Sequence, residues 1–476
     1  MQHSIFKHPQ IQRAKQKLKL TASRFTDNHI SLAVTGLSGS GKTAFITSLV
    51  NQLLEANEQA HLPFFSVLAE GRLIGVKRDI QPNLIFNRFA YEQAMSDLSQ
   101  NPARWPASTT GVSQVRLKIK YKNAQGLSQY LLDDSTLTLD ITDYPGEWLL
   151  DLPLLEMSYP DWLEHCDDEL ADTKRQSLAG DFLEAVTNLQ LLNKADEISL
   201  QKVASLYSRY LLTCQTEGYQ LLQPGRFILP GELTNAPVLH FFPIPKSVIE
   251  NQNLDLNKPP HDSNLAILIS RFEQYKNAVV KPFYKEHFKQ FDRQVILVDC
   301  LTALNRGHRS VQDLQKALDW LMKSFQYGTS NLINRLFEPK IDKLVFAASK
   351  ADHITPDQQV NLVKLLDNML HQARKKTQYQ GVLSESTAIS AIRASKSGLG
   401  KVKNEEVPIL RGIDNEGHTL TLYPGEVPTT CPEPDFWKHQ NFEFPKFMPT
   451  NLAGSHSLPH IRMDQVLEFL LADKLK

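Results

Sequence analysis

The sequence contains few cysteines, and they are not spaced as a metal site or a disulfide framework would require. Its 476 residues include four of them, and these lie far apart: Cys166, Cys214, Cys300 and Cys431. This usage fits isolated thiols in a reducing compartment. His165 precedes Cys166, but adjacent residues on a helix point about 100° apart, and no second Cys/His cluster follows. We therefore expect no metal site there.

The sequence also has no excess of charge of either sign and no long apolar run. The sequence has 52 Lys and Arg residues and 52 Asp and Glu residues. Because these charges balance, no overall electrostatic field attracts nucleic acid, and we do not expect nucleic acid as a partner. Neither a signal peptide nor a run of some 18 apolar residues is found, so we expect a cytoplasmic protein. The basic N-terminal extension, residues 1–28, contains IQRAKQKLKL, which is either a solvated helix or a segment that lies on an anionic surface or a partner.

The stretch GLSGSGKT has the pattern of a phosphate-binding loop. Gly36, Gly41, Lys42 and Thr43 fit G-x-x-x-x-G-K-[ST], in which backbone N–H groups surround the phosphates, the lysine pairs with β and γ oxygens, and the hydroxyl ligates Mg²⁺. An apolar strand precedes the loop and an apolar helical stripe follows it, which places the phosphates at a helix N-terminus. The expected phosphate-binding residues are Ser38, Gly39, Ser40, Gly41, Lys42, Thr43 and Ala44.

A second motif, DYPG, comes directly after the apolar strand in STLTLDITDYPGEW. Asp143 and Gly146 fit D-x-x-G, the second switch of GTPases, where the aspartate holds Mg²⁺ through water and the glycine amide donates to the γ-phosphate. Glu147 occupies the position where many GTPases have glutamine. It either orients the attacking water as an acceptor or simply closes the turn.

The first switch should supply a threonine ahead of the D-x-x-G strand. In RWPASTTGVSQVRLKIKY we favour Thr109 as this additional Mg²⁺ ligand, with Thr110 as the alternative. Arg104 precedes this threonine. It either reaches the site as an arginine finger or stacks on Trp105.

Two further segments predict a site for guanine. Ser349, Lys350 and Asp352 in SKAD resemble the [NT]-K-x-D motif, in which the aspartate accepts hydrogen bonds from N1–H and the exocyclic amine while the lysine stem covers the base. Serine departs from the motif, although its hydroxyl supplies an equivalent hydrogen bond. In STAISAIRAS, Ala391 and Ile392 follow serine as in the S-A-x element, whose backbone amide meets the guanine O6.

The order of apolar segments predicts the fold class. Strands alternate with amphipathic helices, and this pattern indicates an α/β protein with a Ras-like P-loop NTPase domain, a mainly parallel sheet and helices on both faces. The strands are expected near residues 30–35, 114–121, 136–142, 295–300, 342–348 and 386–390.

The excess length is assigned to three insertions in this domain. One of about 58–104 before the first switch is expected to hold a hairpin and then a helix, and one of 151–290 to be mainly helical. One of 394–460 combines a hairpin, turning at Gly417, with a proline-rich strap. The domain itself would comprise residues 29–150, 291–393 and a closing helix at 461–476.

The assembled motifs GLSGSGKT, STTGVSQVRL, DITDYPGEW and FAASKADHI, in this order and with a long insertion after the second switch, resemble the YcjX-like family of bacterial P-loop GTPases. The resemblance spans nearly the whole chain. It implies a cytoplasmic, stress-associated protein that binds guanine nucleotide and acts beside the inner membrane with a membrane-protein partner.

The hypothesis from the sequence is slow hydrolysis of GTP to GDP with Mg²⁺ as cofactor. The catalytic residues would be Lys42, Thr109, Gly146 and Glu147, and the metal would be held by Thr43, Thr109 and Asp143. A protein partner would bind the helical insertion or the switch regions. An ATP-using P-loop NTPase and a nucleotide-bound scaffold with negligible turnover remain as alternatives.

Overall fold

The structure is a computed structural model of the chain. It describes residues 28–56, 62–109, 111–124, 134–324, 341–371, 382–402, 405–449 and 457–476. The segment Ile11 to Leu20 and the alternative switch residue Thr110 lie outside these ranges.

The largest element is a sheet of eight strands. Its order is β2-β4-β5-β1-β6-β7-β8, and β3 pairs with β4. β1 lies between β5 and β6, and all pairings from β5 to β8 are parallel. The strands are β1 (Asn28–Gly36), β2 (Leu73–Asp79), β3 (Asn87–Arg88), β4 (Ser113–Lys122), β5 (Asp134–Asp143), β6 (Arg293–Val298), β7 (Lys343–Ala348) and β8 (Leu383–Ala388).

Apolar residues of β1 point alternately into two cores, one on each face of the sheet. Leu32 and Val34 pack in the core that also contains the helices Lys42–Leu54 and Met463–Leu471, whereas Ala33 belongs to the core shared with the long helical insertion. Such alternation is what a strand covered on both faces requires. The predicted α/β class, with a mainly parallel sheet and helices on both faces, is confirmed.

The α-helices lie mainly between β5 and β6. They are Lys42–Leu54, Ser66–Ala69, Tyr91–Leu98, Gly146–Leu149, Tyr159–Leu170, Thr173–Leu178, Gly180–Asn188, Glu197–Glu217, Gly225–Ile228, Lys246–Asn251, Asn264–Tyr275, Lys281–Glu286, Cys300–Arg306, His308–Ser324, Gln359–Met369 and Met463–Leu471. A π-helical turn, Lys276–Val280, joins two of them. None of the helices that the structure describes has the length and apolarity needed to cross a membrane.

Two predicted strands differ from the observed ones by a few residues. The strand expected at 295–300 is Arg293–Val298, because the Asp299 carboxylate accepts from the Thr302 amide (2.9 Å) and so caps the next helix. The strand expected at 386–390 is Leu383–Ala388. Its more exposed N-terminal half gives little apolar signal.

The prediction of a hairpin in the first insertion is wrong. Phe65 and Val67 are buried in the core. Phe65 is the N-cap residue of a short helix, Ser66–Ala69, and Val67 lies in that helix instead of in a first hairpin strand. The following strand β2 pairs antiparallel with β4 at the edge of the main sheet. Burial in the core therefore outweighs the local strand pattern.

The late insertion contains a second, antiparallel sheet of three strands, β9 (Lys396–Val402), β10 (Glu405–Ile413) and β11 (Thr419–Leu422). The expected turn is present between β10 and β11, and Gly417 has a φ of 86° there. β9 is rich in glycine and lysine and was not predicted. Residues 423–449, here called the strap, run without strands and with one short 3₁₀ turn, Phe436–Lys438.

Candidate functional site

The loops that follow β1, β5, β7 and β8 meet at one edge of the main sheet, because these strands are parallel. In the loop after β1, Gly39 and Gly41 have φ values of 74° and 88°, which residues with a Cβ rarely adopt. The helix Lys42–Leu54 begins directly after them. The Lys42 ammonium donates to the Gly36 carbonyl (2.8 Å), so this side chain lies over its own loop.

A cleft of about 350 Å³ opens at this edge, here called the main cleft. The volume is in the usual range for small-molecule sites. The main cleft brings together residues predicted from four separate motifs: Gly39, Ser40, Gly41, Lys42, Thr43, Ala44, Thr109, Lys350, Asp352, Ala391 and Ile392. Ser38 lines an adjoining cavity instead, and Gly39 and Lys350 border both.

Asp143 is the last residue of β5 and does not line the main cleft. It is 1% exposed, and its Oδ2 accepts from the Thr109 hydroxyl. Its Oδ1 is buried and has no partner among the described residues. Burial raises the pKa of Asp143, and this effect is opposed by the Lys42 charge and the Thr109 hydrogen bond.

These residues fit a magnesium ion. A carboxylate with an orphaned oxygen next to a threonine hydroxyl is a hard oxygen donor set, and Mg²⁺ usually takes only one or two protein ligands besides water and phosphate. Within the described part of the chain no group of three or more His, Cys, Asp or Glu residues is placed to hold a metal.

Gly146 and Glu147 start the short helix after β5 and do not line the main cleft. A Cβ on Gly146 would lie 2.5 Å from the Gly36 carbonyl oxygen, so the two motifs are in direct backbone contact. Glu147 is 4% exposed, and its Oε2 has no partner among the described residues. Its charge contributes to raising the pKa of Asp143.

The loop after β7 is tied to two neighbouring strands. Lys350 has a left-handed backbone (φ 62°), and its ammonium donates to the buried Asp299 carboxylate at the end of β6. Burial tends to raise the pKa of Asp299, but the Lys350 charge and hydrogen bonds outweigh burial and lower it. The Asp352 carboxylate accepts from the Ala394 amide (2.8 Å) beyond β8. This bond orients Asp352 at the wall of the main cleft.

The structure favours neither interpretation of Arg104. Arg104 is exposed, and no ring contact of its guanidinium is seen in the described residues. The Trp105 indole N–H instead donates to the Phe447 carbonyl (3.0 Å), and both residues line the main cleft.

Sequence reasoning missed several residues at this edge. Asp299 could have been found, because an acidic residue that ends a buried strand of a parallel sheet lies at the ligand edge. Asn415, Lys446 and Phe447 also line the main cleft. They come from the late insertion, and no local pattern in the sequence indicates that placement.

The helical insertion packs on the segment that follows the D-x-x-G motif. A Cβ on Gly225 would lie 2.1 Å from the Glu147 carbonyl oxygen. The Arg226 guanidinium lies 3.3 Å from the centre of the Trp148 ring. Asp151, 1% exposed, accepts from the Gly225 amide (2.8 Å) and from the Tyr275 hydroxyl.

The chain is similar over nearly its whole length to known proteins. The YcjX-like family, DUF463, matches residues 30–475. A Ras-like GTPase YcjX from Shewanella oneidensis is 46% identical over 474 residues, which cover 97% of this chain and 98% of the relative. A Ras-like GTPase YcjX from Escherichia coli K12 is 43% identical over 467 residues, which cover 98% of this chain and all of the relative. The chain therefore belongs to the YcjX-like family.

Proposed function

We propose that the chain binds guanine nucleotide with Mg²⁺ and hydrolyses GTP to GDP and phosphate. The observation that carries this proposal is the main cleft, where the phosphate loop and the SKAD loop face the same space. The name Ras-like GTPase, which two relatives carry, supports the same activity.

Asp352 would select the base. A buried carboxylate has only acceptors, so it pairs with a base edge that offers two donors, N1–H and the exocyclic amine of guanine. Adenine has an acceptor at N1 and would leave the carboxylate opposed by a lone pair. Ala391 and Ile392, on the loop after β8, also line the main cleft and would hold the guanine O6 through a backbone amide.

The reaction forms a bond between a water oxygen and the γ-phosphorus and breaks the bond from that phosphorus to the β–γ bridging oxygen. The Lys42 ammonium would neutralise charge that develops on the β and γ oxygens, and the Gly146 amide would donate to a γ oxygen. Thr43, Thr109 and Asp143 would hold Mg²⁺, which would supply further positive charge to the same oxygens. The side chains would thus hold the phosphates in line for attack by water.

We propose that Glu147 orients the attacking water as an acceptor. Its buried Oε2 lacks a partner among the described residues, which supports this role over simple closure of the turn. A carboxylate cannot donate as a glutamine amide does, so intrinsic turnover should be slow. A partner that contacts the helical insertion, which packs on the segment that follows the D-x-x-G motif, would be placed to accelerate it.

The slow cycle would serve as a regulatory switch. Its place in a bacterial stress response, a location in the cytoplasm and beside the inner membrane, and a membrane-protein partner are proposals that rest on the family resemblance.

The test is single-turnover hydrolysis of GTP labelled at the γ-phosphate, with Mg²⁺ and an excess of protein. We expect slow release of phosphate by the unaltered chain and none by Lys42→Ala. A protein that retains all of its GTP unhydrolysed, with and without cell extract, would instead be a nucleotide-bound scaffold.

A further inference from the structure

The strap reaches the proposed nucleotide site at Lys446. This residue lines the main cleft and also an adjoining cavity of about 240 Å³. Gly39 of the phosphate loop and Lys350 of the SKAD loop line the same two spaces. Lys446 therefore lies where the phosphate loop and the SKAD loop approach each other.

The backbone on both sides of Lys446 is anchored. Asn305, on the helix after β6, exchanges two hydrogen bonds of 2.8 Å with Phe444, one to its carbonyl and one from its amide. On the other side, the Met448 amide donates to the Ile413 carbonyl (2.8 Å) of β10. The side chain of residue 446 is thus presented from a fixed position.

Phe447, the residue after Lys446, also holds the strap at the main cleft. Its side chain is 2% exposed, and its ring lies 5.3 Å from the ring of His353, which follows Asp352. Its carbonyl accepts from the Trp105 indole of the first-switch segment. The strap is therefore joined to the loops on both sides of the main cleft.

The Lys446 ammonium forms no ion pair among the described residues. It is exposed and has no carboxylate within 4 Å among the described residues, although Asp414, Glu416 and Glu443 line a groove that Lys446 also lines. Lys350 and Lys438, in contrast, are paired with Asp299 and Asp435. An unpaired ammonium beside a phosphate loop is available to a phosphate oxygen.

We propose that Lys446 binds the phosphates of the bound nucleotide, as a second cation besides Lys42, so that the late insertion forms part of the nucleotide site. The inference rests on the proposed function. It implies that the strap is held in place more tightly when a nucleoside di- or triphosphate is bound.

The experiment measures the Kd of GDP, GTP and guanosine by calorimetry for the unaltered chain, Lys446→Ala and Lys446→Arg. Loss of one charge-assisted contact should raise the Kd of both nucleotides about tenfold. The Kd of guanosine should not change, and Lys446→Arg should stay within about threefold of the unaltered chain. Lys438→Ala, a strap lysine paired with Asp435, is the matched control and should leave all three values unchanged.

Two results with Lys446→Ala would contradict the proposal. One is an unchanged Kd for GDP and GTP in Lys446→Ala, and another is an equal loss of affinity for guanosine, which would indicate a general distortion of the site. Should Lys446→Ala fail to fold, Lys446→Gln replaces it and must show a weaker dependence of the GDP Kd on salt than the unaltered chain. Failure of the unaltered chain to bind any guanine nucleotide would overturn the proposed function as well.

Discussion

Gly146 of the second switch lies in backbone contact with Gly36 of the phosphate loop. A Cβ on Gly146 would fall 2.5 Å from the Gly36 carbonyl oxygen, the same oxygen that accepts from the Lys42 ammonium. A movement of the D-x-x-G segment therefore bears directly on the loop that would hold the β and γ phosphates. This contact gives the proposed switch a physical path from the γ-phosphate to the helical insertion packed behind it.

Gly146→Ala should damage the site. The added Cβ would clash with the Gly36 backbone, which cannot rotate away as a side chain can, so the phosphate loop must shift. We expect this shift to lower the free energy of unfolding by about 1–3 kcal/mol and to slow GTP hydrolysis at least tenfold. Urea unfolding and single-turnover hydrolysis measure the two effects. Gly180→Ala is the control, since a Cβ there meets open space, and unchanged hydrolysis in Gly146→Ala would contradict the contact.

Thr109→Ala tests the assignment of the first switch. Thr109 lines the main cleft and donates to Asp143, so its loss should slow GTP hydrolysis at least tenfold and weaken GTP binding. GDP binding should change little, because this ligand is expected to reach the metal only with triphosphate bound. Ser108→Ala serves as the control. A large effect in Thr110→Ala and none in Thr109→Ala would assign the role to Thr110.

Asp352→Asn tests the choice of base. An amide presents a donor where the carboxylate accepts, so GTP affinity should fall at least tenfold while affinity for xanthosine triphosphate rises, because xanthine has a carbonyl at that edge. Competition binding measures both. Asp357→Asn, an exposed position five residues on that does not line the main cleft, should change neither. An ATP-binding site would be indifferent to Asp352→Asn.

Asp151 should make stability depend on pH. Burial raises the pKa of this carboxyl to about 7, so between about pH 4 and 7 the folded state binds a proton that the unfolded state has released. The contribution of Asp151 to the free energy of unfolding should therefore fall by about 1.4 kcal/mol per pH unit as the pH rises through this window.

Asp151→Asn isolates that contribution. The asparagine amide can still accept from Gly225 and donate to the Tyr275 oxygen, but it does not titrate. Urea unfolding at several pH values should give a smaller slope for the variant between pH 4 and 7. Equal slopes for the two proteins would show that Asp151 does not carry the buried proton.

The main sheet and the positions of the motifs could be predicted because they depend on local patterns. The apolar run before Gly36 and the glycines after it define a strand, loop and helix without reference to the rest of the chain. The same holds for the apolar strands that lead into Asp143 and Ser349. The roles of the residues at the ends of these strands stay predictions.

Elements that depend on distant partners could not be predicted. The sequence predicts a strand at β2 but not its pairing with β4 at the edge of the main sheet. The contacts of Asn305 with Phe444 and of Trp105 with Phe447 join residues 139 and 342 positions apart. No periodic pattern in the sequence indicates such long-range contacts. That the strap lines the main cleft is therefore seen only in the structure.

The central claim is that the main cleft holds a guanine nucleotide. Titration calorimetry of the nucleotide-stripped chain with GDP, GTP and ATP in the presence of Mg²⁺ tests it most directly. We predict saturable binding of GDP and GTP at one site per chain and no competition by ATP at equal concentration. Absence of heat with GDP and GTP at millimolar concentration, or equal binding of ATP, would contradict the account.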